Sequence, residues 1–196
     1  GVFEQNAQAS LSLVPFGAPD PLDIAAIAAR CDPPREAGEL GWITSQQEAH
    51  LQFGPRWHVL QSTAYGKAEG WARLRLPDAA RDDARAGYLL HPGLMDLATG
   101  WAMKLIEGYN GDHLWVPVSY RSVKVYGALA PEIISWVRGS GENRTDSEVA
   151  SFDITLAAPD GTVCVEIRGF SIRRMKEMTG FGALAENVAP IAHAGD

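Results

Sequence analysis

One stretch restricts this chain more than any other: His91-Pro92-Gly93-Leu94-Met95-Asp96-Leu97-Ala98-Thr99-Gly100-Trp101-Ala102-Met103-Lys104-Leu105-Ile106-Glu107. It is the only long helical pattern in the sequence. Pro92 suits the first helical position, where its missing N–H costs nothing. Leu94, Leu97, Ala98, Trp101 and Leu105 recur at helical spacing on one face. Met95, Ala102 and Ile106 widen that face until it covers most of the cylinder. What remains is a narrow stripe of Asp96, Gly100, Met103 and Glu107, flanked by Thr99 and Lys104. A helix this apolar must be wrapped by other elements, and its stripe begins with a carboxylate.

Strand patterns surround the helix. Trp57–Ala64 and Trp71–Leu76 precede it, joined by turn residues Tyr65-Gly66-Lys67. In the second of these, Ala72, Leu74 and Leu76 face one way and Arg73 and Arg75 the other. Pro77–Gly87 reads as a charged loop. Leu114–Tyr126, Glu132–Arg138, Val149–Ala157 and Thr162–Met175 follow the helix, read as four strands in a meander. Ala158-Pro159-Asp160-Gly161 is a turn in which Pro fixes φ and Gly permits φ > 0. In the last strand the alternation slips by one at Gly169, the mark of a β-bulge. One very apolar helix and an antiparallel sheet give an α+β architecture with the sheet curled about the helix, the hotdog fold.

The flanks differ in composition. Residues 8–14 alternate weakly and stop at Pro15, as an edge strand does. Residues 16–50 are rich in Pro, Ala, Asp and Gly and read as a connector. It carries one short helix, started by Asp20-Pro21 and ended before Pro33-Pro34. Residues 51–175 form the β-rich unit, and 176–196 read as a linker or tail. A chain of 196 residues, 46% hydrophobic, suffices for one full core. A net charge of −7 argues against nucleic acid as the main partner. Two cysteines, Cys31 and Cys164, make no disulfide framework, which points to a reducing cytoplasm. No apolar run approaches the roughly 20 residues needed to cross a membrane. The chain has no initiator Met and opens on a strand-like segment, so it reads as a piece of a longer polypeptide.

Phe53-Gly54-Pro55-Arg56-Trp57, then His91-Pro92-Gly93-Leu94-Met95-Asp96, then Val116-Pro117-Val118-Ser119, in that order and spacing, resemble the second half of a polyketide synthase dehydratase domain. That family is a double hotdog. The resemblance covers about residues 1–175 and implies that residues 1–15 are the last strand of an upstream hotdog, with 16–50 the segment between the two. It implies an enzyme that eliminates water from β-hydroxyacyl thioesters, giving enoyl thioesters. The substrate rides on the phosphopantetheine of an acyl carrier protein, and no other cofactor and no metal is implied. Asp96 matches the family's catalytic Asp. The catalytic His, in an HxxxGxxxxP motif, belongs to the upstream hotdog and is absent from this sequence. Phe53, Pro55, Leu94, Gly100 and Pro117 are the matching candidates for substrate contacts. A homodimer in the full synthase is implied as well.

Two positions depart from the family pattern. Gly100 stands where Gln or His usually follows the Asp by four residues, and Phe53 stands where Tyr often precedes Gly-Pro. Both family residues supply hydrogen bonds near the active site. Their loss leaves open a double-bond isomerase or an oxygen-ring cyclase on the same fold, or a non-catalytic scaffold domain of the megasynthase. The chemistry asks for a base that takes the α-proton and an acid that protonates the leaving oxygen. A buried carboxylic acid can be that acid if desolvation favours its neutral form. An apolar tunnel beside Leu94, Leu97 and Trp101 is expected to desolvate Asp96, and Gly100 to leave room for the acyl chain.

Other residues read more plainly. His91 reads as a helix-entry or packing residue. His50, His58, His113 and His193 form no metal-ligand spacing. Ser119 lacks the elbow of a serine hydrolase. Cys164, Trp57, Trp115 and Trp136 read as core or tunnel lining. Arg73, Arg75, Arg121, Lys124, Arg173 and Arg174 read as solvated sheet positions, some able to meet an acidic carrier protein or its phosphate.

Overall fold

The computed structural model describes residues 5–15, 17–80, 82, 83 and 87–175. The expected linker at 176–196 lies outside the described residues. Eight strands, all paired antiparallel, form one sheet. They are β1 (Arg35–Glu36), β2 (Leu60–Tyr65), β3 (Glu69–Arg75), β4 (Trp115–Ser119), β5 (Ser122–Val125), β6 (Glu132–Gly139), β7 (Val149–Ala157) and β8 (Val163–Arg174). Among the described residues two α-helices accompany them, α1 (Ile24–Ala28) and α2 (Pro92–Gly100).

Alternation built most of the sheet as expected. Ala72 and Leu74 of β3 are fully buried, as are Ile133, Ser135 and Val137 of β6, while Arg73 and Arg75 are exposed. Phe152, Ile154 and Leu156 of β7 point into the same core. Residues 158–161 turn the chain between β7 and β8, with the Gly161 amide donating to Ala158 O at 2.9 Å. The slip at Gly169 is a bulge. Phe152 pairs with Phe170 and Ile154 with Ile167, so β7 advances two residues while β8 advances three. Gly169 adopts φ +58°, and a Cβ there would stand 2.9 Å from Arg121 Cβ. Only glycine meets both demands without strain.

The strand order is β1-β2-β3-β6-β7-β8-β4, with β5 also on β8. The expected four-strand meander is therefore corrected. Leu114–Tyr126 breaks into β4 and β5, and both lie beyond β8, so only β6-β7-β8 is a meander. Arg121 causes the break: its amide donates to Arg168 O and Gly169 O at the bulge. A strand facing a bulge cannot keep one register across it.

The helix is also shorter than its apolar pattern. α2 ends at Gly100, Trp101 caps it, and Met103–Leu105 forms a 3₁₀ turn. Glycine is a poor helix former. Trp101 is then held in place: its Nε1 donates to Ser135 Oγ at 3.1 Å, and the Ser135 hydroxyl donates to Ala98 O at 2.7 Å. That carbonyl belongs to the last turn, where no helical N–H remains to meet it. Breaking here buries Met103 and Ile106 at 2% and 1% exposure. A straight continuation would have put Met103 on the stripe with Asp96, so the four-residue stripe does not exist as such.

Three smaller expectations change. α1 begins at Ile24 rather than at Asp20-Pro21, because Asp23 accepts from the Ala26 amide at 2.8 Å and Leu22 N is tied to Gly161 O. Trp57 closes a 3₁₀ turn, Pro55–Trp57, and the strand starts only at Leu60. Residues 8–14 form no strand: among the described residues none pairs with the segment, and Leu11 and Leu13 are 90% and 93% exposed. Within 16–50, β1 pairs with β2, and Ser45 caps the turn Gln46–Ala49 in a capping box.

The core lies between α2 and the concave face of the sheet. Leu94, Leu97, Ala98 and Trp101 pack on Ala72, Leu74, Ile133, Val137, Ile154 and Ile167. Cys164 joins this core from β8. Each fully buried aliphatic side chain contributes about 1.5–3 kcal/mol of transfer free energy. That wrapping leaves one side of α2 uncovered by the sheet.

Candidate active site

Asp96 sits on the uncovered side. Leu94 and Asp96 are two residues apart, about 200° around the cylinder. Leu94 is therefore in the core at 0% exposure while Asp96 is exposed. The expectation that Leu94, Leu97 and Trp101 together desolvate Asp96 is corrected for the same reason: Leu94 and Trp101 face the sheet. Only Leu97 of the three reaches the space beside Asp96.

That space is an apolar slot of about 90 Å³. It brings together Asp96, Gly100, Phe53 and Pro117, four of the six residues singled out from sequence. The buried side chains of Met103, Trp115, Phe170 and Ile172 line it as well. A wider opening of about 210 Å³, lined by Gln52, Phe53, Gly54, Trp57 and Asp96, adjoins it. Asp96 and Phe53 belong to both, so the carboxylate stands where an open mouth meets a greasy slot. Pro55 does not line the slot; it borders a separate groove with Trp42 and His58. Leu94 lines neither.

One polar contact is made by the Asp96 side chain across the mouth. Trp57 Nε1 donates to Asp96 Oδ2 at 2.8 Å. The turn that carries Trp57 is docked on the first turn of α2. A Cβ at Gly93 would stand 2.7 Å from Arg56 O, so glycine is required for that approach. Arg56 Nε also donates to Asp83 Oδ2 at 2.7 Å, and its guanidinium holds the Asp83 carboxyl below the usual range. His91 is buried at the helix entrance with Nε2 3.5 Å from the same carboxylate oxygen. Its place is that of a packing residue at the helix entrance.

Tyr120, just past β4, completes the surroundings. Burial pushes its hydroxyl above the ordinary tyrosine range; the Thr99 hydroxyl opposes this and the Asp96 charge adds to it. Its ring packs on Phe170, centroids 4.9 Å apart. Sequence reasoning did not single out Tyr120, and it read Trp57 only as lining. No spacing signal marked Trp57, whose partner Asp96 lies 39 residues on in the sequence. Among the described residues, no cluster of three His, Cys, Asp or Glu side chains could hold a metal ion, and no helix is long and apolar enough to cross a membrane.

Comparison with known proteins gives concordant results. A family model described as the polyketide synthase dehydratase N-terminal domain matches residues 19–180. The chain is 26% identical over 147 residues to polyketide synthase PksM and 27% identical over 142 residues to polyketide synthase PksN, both of Bacillus subtilis (strain 168). Those matches take in 69% and 72% of this chain but only 3% and 2% of the relatives, so it spans a small part of their length. A trans-AT polyketide synthase dehydratase domain from Brevibacillus brevis is similar in structure, with a TM-score of 0.66 and 26% identity. The match covers 82% of this chain and 55% of that one. The dehydratase domain from the CurJ module of curacin polyketide synthase matches with a TM-score of 0.66 at 22% identity, covering 82% and 54%. The fold is thus the expected hotdog.

Proposed function

The chain belongs to the polyketide synthase dehydratase family, and from that membership we propose that it is the C-terminal hotdog of a double-hotdog dehydratase. The residues upstream of 16 then end the first hotdog, and 16–50 link the two. The chain covers 54% and 55% of two solved dehydratase chains, which suits one hotdog of two. The matching family model carries the words N-terminal domain; the assignment to the C-terminal half rests instead on the His91–Asp96 motif on the central helix.

The proposed reaction removes water from a β-hydroxyacyl thioester presented by an acyl carrier protein. A His of the upstream hotdog takes the α-proton, the C–H electron pair becomes the new C=C bond, and the C–O pair leaves with oxygen. Protonated Asp96 donates its proton to that oxygen, so water departs and Asp96 is left as carboxylate. The acyl chain lies along the slot past Gly100. The upstream hotdog and the substrate close the exposed side of α2, supplying the dry surroundings that let a carboxylic acid stay protonated. No cofactor beyond the carrier's phosphopantetheine takes part, and the full synthase works as a homodimer. The observation that carries this reading is the position of Asp96 at the junction of mouth and apolar slot.

Gly100 favours one second reading, an isomerase or cyclase that lacks the usual partner of the acid. Mass spectrometry of the product, from the chain joined to the residues that precede it in its parent polypeptide, separates the two. Loss of water from a β-hydroxyacyl thioester mimic is expected; an unchanged mass with a moved double bond or a new ring indicates the second reading. No turnover, with no HxxxG His upstream, indicates a scaffold.

A further inference from the structure

We propose that Trp57 is a positioning residue for Asp96, taking from across the mouth the role that no side chain can play at Gly100. The proposal rests on the assignment of Asp96 as the acid. Its first support is the bond itself, Trp57 Nε1 to Asp96 Oδ2 at 2.8 Å. An indole N–H is a donor only and does not titrate in the working range of an enzyme. It can orient a carboxyl group without ever exchanging protons with it.

The second support is that both ends of the bond are held. Asp96 stands on α2. The Trp57 amide donates to Gly54 O at 2.9 Å and the Val59 amide to Trp57 O at 2.8 Å, which fixes the turn on either side of the ring. The residue before it is seated on Gly93 and tied to Asp83. A group that must aim a proton needs such a second layer, since a misplacement of about 1 Å can cost about a hundredfold in rate.

The third support is the empty space at Gly100. Positions 96 and 100 are one helical turn apart, where an amide side chain could reach the carboxylate. Apart from its chain neighbours and the helix's own backbone, no atom of the described residues lies within 4 Å of where a Gly100 Cβ would be. The helix thus offers Asp96 no partner from its own next turn. Holding the carboxyl group from the mouth side has a consequence for substrate. The slot beside Gly100 stays free for the acyl chain, whereas an orienting side chain there would fill part of it.

Trp57→Phe keeps the ring and removes only the N–H. In the polypeptide that includes the upstream hotdog, the variant is expected to lower kcat about tenfold with KM changed by less than about twofold, the loss of one hydrogen bond to a reacting group. A nuclear magnetic resonance measurement on the chain itself checks the pairing without turnover. The Trp57 indole proton, identified by its absence in Trp57→Phe, is expected to shift and to exchange faster with solvent in Asp96→Ala. Parent kcat in Trp57→Phe while Asp96→Asn is inactive would overturn the positioning role and leave the acid intact. An indole proton unmoved by Asp96→Ala would overturn the pairing. Full activity in Asp96→Asn would overturn the acid, and with it this role for Trp57.

Discussion

Gly93→Ala is the smallest change that should disturb the site without touching it. A Cβ at this position would stand 2.7 Å from the Arg56 carbonyl oxygen and 3.5 Å from His91 Cε1. Ordinary contact begins at 3.4 Å, so the Pro55–Trp57 turn must retreat by about 3.4 − 2.7 = 0.7 Å. Overpacking of this kind costs about 1–3 kcal/mol. Alanine regains up to about 1 kcal/mol as the better helix former, though less at a first-turn position. The net loss is then about 1 kcal/mol, or roughly 2–4 °C in melting temperature for a chain of this size. Catalysis should suffer more than stability. Moving the turn by several tenths of an ångström stretches the 2.8 Å Trp57–Asp96 bond beyond useful length, so kcat should fall by up to about tenfold, the loss expected when the bond is removed outright. Thermal denaturation and turnover of a β-hydroxyacyl thioester mimic, measured on the same preparations, provide both numbers. A variant with parent kcat and an unmoved Trp57 indole resonance would refute the reasoning, because the turn would then have absorbed the methyl without moving the ring.

Two further predictions concern the scaffold. Ser135→Ala strands two buried groups, Trp101 Nε1 and Ala98 O, and should cost about 2–4 kcal/mol, read as a lower urea midpoint at unchanged m; a loss under about 0.5 kcal/mol would contradict it. Glu69 accepts from Arg30 and from Trp136 Nε1, and these bonds, Arg30 first, hold its carboxyl below the ordinary glutamate value of 4.5. A lowered folded value means that the ionised form is favoured by folding. The stabilisation is present above about pH 4.5 and is lost as pH falls through the folded value. Glu69→Gln should therefore flatten the decline in melting temperature as pH falls below about 4.5, and an unchanged slope would count against the pairing.

The sheet was legible where one strand reports on itself. β7 spans Val149–Ala157 as the alternation indicated, and the Gly169 slip marked the bulge, because side-chain period and burial are local properties. Pairing across distance was not legible. Nothing in Leu114–Tyr126 shows that β4 and β5 cross beyond β8, since that placement depends on loop closure and on the bulge they face. The helix was overextended because apolar spacing runs on through Gly100, whereas the real chain stops there to bury Met103 and Ile106. Residues 8–14 carry strand-like alternation, yet among the described residues no strand pairs with them.

The site divides in the same way. Asp96, Gly100, Phe53 and Pro117 converge on one slot, and the family resemblance had singled out all four. Leu94 and Pro55 were singled out by the same resemblance but face elsewhere, the first by helix phase and the second because its turn lies outside the slot. Trp57 could not be assigned from spacing. Its partner is 39 residues away, and the contact exists only because Gly93 lacks a side chain. Tyr120 was hidden by its position just past a strand that the sequence read as continuous.

The most direct measurement is the conversion of a β-hydroxyacyl thioester mimic by Asp96→Asn, in the polypeptide that includes the proposed upstream hotdog, followed by mass spectrometry. An Asn side chain fills the same volume and can still accept from Trp57, but it has no acidic proton to give the leaving oxygen. The parent should form the enoyl thioester and the variant should form none above background. Enoyl product from the variant at the parent rate would contradict the assignment of Asp96 as the acid.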